Sequence, residues 1–461
     1  MKITLKDFGP ISHFEFDLEK DLHVIFGKNN IGKSYAITAV YLILKNWAED
    51  TNQLYIKSEI IKYNAGDISK NIIENDKKTG QFEFLDITKK IEDTFRSIIE
   101  GVFAQKLTLS LNNSFPAVNR LNNQRTKKNF KIDLKQKHFT ITFSPNEQLN
   151  LLYASSIKIN LPILLKRSES SDKAYILNYD NGENHFDGAI EAIKYLYDIF
   201  IEKELSSING IYFLPASRSG LYQGLSSFSS IIAELSKSRN LLTQKIELPN
   251  ISEPVADYFL NLSNISNKAK NDFDEIIETI EKDILKGTVS FNNETKKLVF
   301  KENGIDEELD LSHTSSMVSE IAPIVAYLKY IINDKNNQPN NKYGLLFIEE
   351  PEAHLHPEVQ VKLMEMFALL AGKNVKIVMT SHSNYMFNKL SNLLLEGKID
   401  HNKVGSYLTR ATDAGSITDT LSMKAEADGM NDENFADVAE MLYEERIKIY
   451  DKLNKEAKDA D

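Results

Sequence analysis

The segment Val24–Ser34 joins an apolar β-type run to the pattern G-x-x-x-x-G-K-S, and few sequence features restrict a fold more tightly. Such a loop needs a strand before it, a helix after it, and glycines where the backbone must approach a ligand closely. All three are present: Val24, Ile25 and Phe26 lead in, Gly27 and Gly32 bracket the loop, and Ile37, Val40, Tyr41 and Leu44 keep helical spacing beyond it. The chemistry this predicts is capture of a phosphate chain. Residues Gly27, Lys28, Asn29, Asn30, Ile31, Gly32, Lys33, Ser34 and Tyr35 would surround clustered anionic oxygens. Lys33 would reach the β- and γ-phosphates, the Ser34 hydroxyl would ligate Mg²⁺, and the helix would aim its positive end at the same oxygens. A nucleoside triphosphate with Mg²⁺ is therefore the expected ligand.

Composition narrows the setting. The chain has 461 residues, 42% of them hydrophobic, enough for a sizeable core and for two or three domains or one with a large insertion. It contains no cysteine, which excludes disulfides, zinc-thiolate sites and a thiol nucleophile and fits a reducing compartment. The start, Met1-Lys2-Ile3-Thr4-Leu5-Lys6-Asp7, is not the apolar run of a signal peptide, and no stretch approaches the roughly 20 apolar residues that span a bilayer, so a cytoplasmic protein without a membrane partner is expected. A formal charge of −11 implies a surface that repels nucleic acid as a whole. Between Arg120 and Lys137, however, bases crowd around the lone acid Asp133, as a track for a nucleic-acid backbone or as a solvated helix face or loop.

Residues 2–26 read as short strands, with Phe14 and Phe16 on one side and a turn at Gly9-Pro10. Helical and β-like runs mix from about 50 to 205, including Phe139–Phe143, with neither heptads nor internal repeats. Ile211–Leu214 predicts a strand, 255–285 helix, Thr288–Phe300 a hairpin turning at Asn292-Asn293, and Asn333–Asn341 a surface loop. Strands at 345–348 and 375–379 then alternate with a helix carrying Val359, Leu363, Phe367 and Leu370. That alternation implies a largely parallel, covered sheet.

Four apolar residues run into Glu349-Glu350-Pro351-Glu352, a buried strand delivering carboxylates to a sheet edge. Glu349 is assigned to the metal and Glu350 to orienting or deprotonating an attacking water. The longer string Glu349-Glu350-Pro351-Glu352-Ala353-His354-Leu355-His356-Pro357 resembles the Walker B and D-loop of ABC-type ATPases in the SMC/RecF/OLD group. Thr380-Ser381-His382 resembles that group's H-loop, which implies that His382 contacts the γ-phosphate and shares in catalysis. Leu311–Met317 stands at the place of the ABC signature, so the resemblance implies that Ser315 and Ser316, with His356 of the D-loop, complete the site of a second copy; ordinary helix capping is the alternative for the serines.

The resemblance covers residues 1–48 and about 285–410 and implies an α/β head, a mostly parallel sheet with an antiparallel part, carrying a large inserted α+β lobe. The expected division is 1–48 and 311–412 for the head, 49–206 for the lobe, 207–310 for connecting strand, helices and hairpin, and 413–461 for a helical tail. A Q-loop is not located, and Arg218 faces either the nucleotide or a nearby acid. OLD-family nucleases carry a Toprim domain after the ATPase, whereas the tail after His382 is short and holds no strand-borne D-x-D, so the chain is not expected to be a nuclease itself. In the tail, Phe435, Val438, Ala439, Leu442 and Ile449 predict an amphipathic helix, expected as a packing element with partner docking as the alternative.

The chain thus resembles the stand-alone OLD-like ATPases of bacterial anti-phage systems such as Septu and PARIS. This implies ATP and Mg²⁺ as cofactors and an ATP-sandwich homodimer or higher homo-oligomer, working as a switch for a separate effector, a nuclease or toxin. The alternatives are a RecF-type repair ATPase that binds DNA through the basic segment, and an ATP-dependent scaffold with negligible turnover.

Overall fold

The computed structural model describes residues 1–54, 58–81, 83–115, 117–169, 175–179, 182–197, 199, 207–224, 251–265, 273–332, 343–432 and 434–458. The first two strands, β1 (Lys2–Phe8) and β2 (Ile11–Asp17), turn at Gly9-Pro10 and pair antiparallel. Next, β3 (Leu22–Gly27) leads through the glycine loop into the helix Lys33–Leu54. Strands β4 (Leu85–Asp86), β5 (Lys131–Lys135), β6 (Phe139–Asn146), β7 (Leu151–Ile159), β8 (Leu164–Arg167), β9 (Tyr175–Tyr179) and β10 (Gly182–Phe186) follow. After β11 (Ile208–Leu214), β12 (Gly287–Asn292), β13 (Lys297–Glu302) and β14 (Glu308–Asp310) make a three-stranded sheet, the predicted hairpin plus one strand. The last strands are β15 (Tyr343–Glu349), β16 (Val375–Thr380), β17 (Val404–Thr412) and β18 (Gly415–Asp419). The loop expected at Asn333–Asn341 lies outside the described residues.

Among the described residues, eleven strands form one sheet in the order β11-β15-β16-β3-β17-β18-β2-β1-β5-β6-β7. From β11 to β17 all pairings are parallel. Beyond β17 the sheet turns antiparallel, apart from the β18–β2 pair, so the expected parallel block and antiparallel part form one surface. The central strands β3 and β15 are buried on both faces along most of their length, which is why they read as apolar runs. Alternation along β3 shows it: Ile25 packs with Ile37, Val40, Tyr41 and Leu44 of the loop helix, while Leu22, Val24 and Phe26 join the opposite core. That second core is covered by the helices Ser316–Ala326, Pro357–Ala371 and Asn384–Leu395.

Three expectations need correction. Residues 49–206 are not wholly a separate lobe: β5 pairs with β1 from Lys2↔Lys135 to Lys6↔Lys131, so β5, β6 and β7 extend the head's own sheet. An unpaired β1 edge would leave a row of buried N–H and C=O groups unsatisfied, and the insertion supplies the partner. What remains apart is the four-stranded sheet β10-β9-β8-β4. Likewise β11 is no connector but the outermost strand of the parallel block. The tail helix Ala436–Lys458, expected to pack, instead exposes its apolar residues: Leu442 is 55% and Ile449 52% exposed. Its approach is anchored by Phe435 against Phe26 and Phe387.

Candidate active site

Parallel strands bring their carboxyl ends to one edge, and register decides which residues meet there. Glu349 lies across from Thr380, Thr380 from Ile25, and Gly27 from Thr409. The glycine loop, the acidic string and Thr380-Ser381-His382 therefore converge although the loop and the acids lie more than 300 residues apart. Gly27 (φ +140°) and Gly32 (φ +90°) hold backbone that side-chain-bearing residues rarely adopt. A Cβ on Gly27 would fall 2.6 Å from the Thr409 carbonyl oxygen.

Lys33 begins the loop helix, and its ammonium curls over the loop, donating to the carbonyls of Gly27 (3.0 Å) and Lys28 (2.7 Å). Burial pulls its pKa down to about 8, against the opposing pull of Glu350 and Glu352. The next residue, Ser34, is hydrogen-bonded to the Glu349 carboxylate. Burial raises the pKa of Glu349, and its Oε1 is buried without a hydrogen-bond partner. A hydroxyl and a carboxylate with an oxygen to spare are hard oxygen donors, which suits Mg²⁺. Lys28, Asn29 and Asn30 are exposed on the loop, and Ile31 lies over Gly27. The Tyr35 ring instead packs on Phe115 at 4.9 Å, so only its backbone N–H, in the first helical turn, is left for a phosphate.

Glu350 sits in the left-handed region (φ +43°), with its N–H directed to Thr380. A non-glycine residue held there stores local strain, a pattern that gathers at functional sites. Its Oε1 lies 3.6 Å from His382 Nε2. Burial and the Lys33 charge lower the His382 pKa, while Glu350 and a hydrogen bond to the Gly27 backbone oppose them. The imidazole thus stands between the loop and the second carboxylate.

Glu352 of this edge escapes sequence reading, whereas Arg218 is read there with two alternatives. Glu352 accepts a hydrogen bond from the His382 N–H through Oε1, and its buried Oε2 has no hydrogen-bond partner; the third acid of Glu-Glu-Pro-Glu was the available signal. Arg218 resolves in favour of an acid. It is fully buried, ion-paired with Glu320 at 3.2 Å, and donates to the carbonyls of Pro215 (3.1 Å), Glu349 (2.9 Å), Glu350 (3.3 Å) and Glu320 (3.1 Å). One guanidinium thereby fixes the backbone of both strand-end glutamates to the helix that follows Ser315.

Other predicted residues stand elsewhere. Ser315 caps the helix Ser316–Ala326 by accepting from the Val318 N–H at 3.4 Å, and His356 caps Pro357–Ala371 through Glu358 N–H. Among the described residues no hydrogen bond links Ser315, Ser316 or His356 to the glycine loop. The basic stretch is a turn and a strand rather than a helix face: Lys131 and Lys135 are exposed on β5, Asp133 between them is paired with Lys6 at 2.8 Å, and Arg125 donates to the Thr412 carbonyl at 2.8 Å. Among the described residues no helix is long and apolar enough to cross a membrane.

Comparison with known proteins places this edge in a wider group. The chain is 23% identical over 403 residues to Endonuclease GajA of Bacillus cereus (strain HuB5-5), a match covering 81% of this chain and 53% of that protein, so the chain spans about half the relative's length. Two solved structures align along nearly the whole chain. The SMC head bound to the C-winged helix domain of ScpA covers 92% of this chain and 97% of its own, at 10% identity and a TM-score of 0.38. The SMC head bound to a ScpA domain derived from Pyrococcus furiosus covers 96% and 98%, at 11% and 0.37. Residues 1–387 match the family described as AAA ATPase domain, a span that takes in the glycine loop, both strand-end carboxylates and His382. With so much of its length inside that match, this chain belongs to the AAA ATPase domain family.

Proposed function

We propose that the chain binds MgATP at this edge and hydrolyses it as the switch subunit of a bacterial anti-phage system, with a separate effector protein. The observation that carries the catalytic part is the pairing of Ser34 with Glu349, whose second oxygen is buried and free, beside the Glu350–His382 pair. Mg²⁺, when bound, supplies charge neutralisation between the β- and γ-phosphates. The chain's own residues do the rest. Loop N–H groups and Lys33 hold the phosphate oxygens, Ser34 and Glu349 offer metal ligands, Glu350 takes a proton from the attacking water, and His382 orients the γ-phosphate. The likeness to an endonuclease, together with the Glu-Glu-Pro-Glu-Ala-His-Leu-His-Pro string, supports an ATPase that serves the destruction of nucleic acid.

The test separates binding from turnover and from cutting. Lys33→Ala should lose ATP affinity, whereas Glu350→Gln should keep it and lose hydrolysis by at least about 100-fold. Equal affinity in Lys33→Ala and wild type would remove the phosphate site, and normal turnover in Glu350→Gln would reassign the base. The purified chain should leave DNA and RNA intact with Mg²⁺ or Mn²⁺. Cleavage that survives Lys33→Ala would overturn the separate effector.

A further inference from the structure

The helix Ala436–Lys458 begins at a fixed point, because Phe435 packs between Phe26 at the end of β3 and Phe387. Beyond that anchor its large apolar side chains stand in water: Tyr443 (65% exposed) and Ile447 (41%) fall outside the pattern formed by six others, Val438 (51%), Met441 (57%), Leu442 (55%), Ile449 (52%), Tyr450 (57%) and Leu453 (54%). So long a row of exposed apolar side chains marks an interaction surface. The order of these six residues identifies the occupant. They are arranged symmetrically about the Glu445–Arg446 peptide, so that Val438 mirrors Leu453, Met441 mirrors Tyr450, and Leu442 mirrors Ile449. At about 100° per residue, Val438, Leu442, Ile449 and Leu453 form a stripe roughly 60° wide, with Met441 and Tyr450 flanking it on opposite sides. A stripe with this symmetry is complementary to itself turned end for end, the requirement for a two-fold contact. Charge points the same way. Glu440, Glu444 and Glu445 occupy the first half, and Arg446, Lys448 and Lys452 the second, with Asp451 and Glu456 as the exceptions. An antiparallel neighbour sets acidic half beside basic half, whereas a parallel one sets like beside like.

We propose that this helix pairs antiparallel with the same helix of a second copy, Leu442 of one chain packing on Ile449 of the other, in a contact that does not depend on nucleotide. It is separate from the ATP-sandwich pairing that the sequence resemblance implies and stands or falls without it. With one interface at the sheet edge and another at the tail, ATP-closed pairs can be joined into a larger assembly.

The absence of native cysteine makes the test direct. In a Lys33→Ala background without nucleotide, full-length chains carrying Leu442→Cys are mixed with chains carrying Ile449→Cys and oxidised. Disulfide-linked dimers are expected to form several-fold more from the mixture than from either variant alone, since two copies of position 442 lie about 10 Å apart along an antiparallel pair. Light scattering should give a dimer mass that Leu442→Asp/Ile449→Asp reduces to a monomer, with helicity unchanged. Equal linking of Leu442→Cys to itself would show a parallel pair. A monomer mass without linking would mean that a different protein covers this helix. Either result overturns the proposal.

Discussion

Lys33 is the residue whose chemistry is most open to measurement. Burial lowers its pKa to about 8, so near that pH a sizeable fraction of the loop lysine is neutral before ATP arrives. Phosphate oxygens favour the ammonium form, so binding at pH 8–9 should draw in a substantial fraction of one proton. Calorimetry in two buffers of different ionisation enthalpy measures that uptake, which should vanish in Lys33→Arg; uptake indifferent to the substitution would place the proton elsewhere. Arg218 calls for a different experiment. Arg218→Ala should destabilise the fold by about 3–5 kcal/mol, because Glu320 is left charged and unpaired in the interior. Replacing both, Arg218→Met with Glu320→Leu, should recover melting temperature but not ATP turnover, since the carbonyls of Glu349 and Glu350 lose their donor. Full turnover in that double variant would reduce the arginine to a packing role. The loop residues and Glu349, Glu350 and His382 were legible because their spacing and string are local. Arg218 was legible only as a choice between nucleotide and acid, since its partners come from three separate places along the chain.

Elements were legible to the extent that their packing is written along one strand or helix. β3 and β15 announced themselves as apolar runs, and the loop helix by its periodicity. Which strand lies beside which is not written there: the alternation of β5 and β6 fixes a buried face but not β1 as neighbour, and the insertion was read as a lobe for that reason. The tail shows the same gap, since apolar spacing is alike whether the helix packs on its own core or on another molecule. β3 also carries a buried histidine, His23, hydrogen-bonded through Nδ1 to the Tyr407 hydroxyl at 3.1 Å. Burial, aided by the charge of Lys376, lowers its pKa to about 3. Between pH 6.5 and 3 the unfolded chain takes a proton that the folded one refuses, so stability falls as pH falls, with a slope from this group approaching about 1.4 kcal/mol per pH unit. His23→Phe should flatten the dependence between pH 6 and 4 in urea titrations. Curves that stay parallel to wild type would assign the acid sensitivity to other groups.

For the whole molecule, among the described residues no hydrogen bond ties the serine-capped start of the helix Ser316–Ala326 to the glycine loop of its own chain, and the sequence resemblance implies that this start completes the site of a second copy. Glu350→Gln with ATP should therefore gain mass in light scattering, and adding Ser316→Arg should abolish the gain; an unchanged mass in both would leave a site that works within one chain. The sheet order has one more consequence, and it concerns birth rather than catalysis. β3 is made within the first 30 residues, yet its two neighbours are β16 and β17, neither of which begins before residue 375. During synthesis the phosphate loop emerges early on a strand that has no one to pair with, while most of the protein is still being translated. A nascent chain of this kind holds a sticky, unsatisfied β-strand for most of the ribosome's passage and gains its nucleotide site only at the end. A half-made copy therefore lacks the strands that complete the nucleotide site.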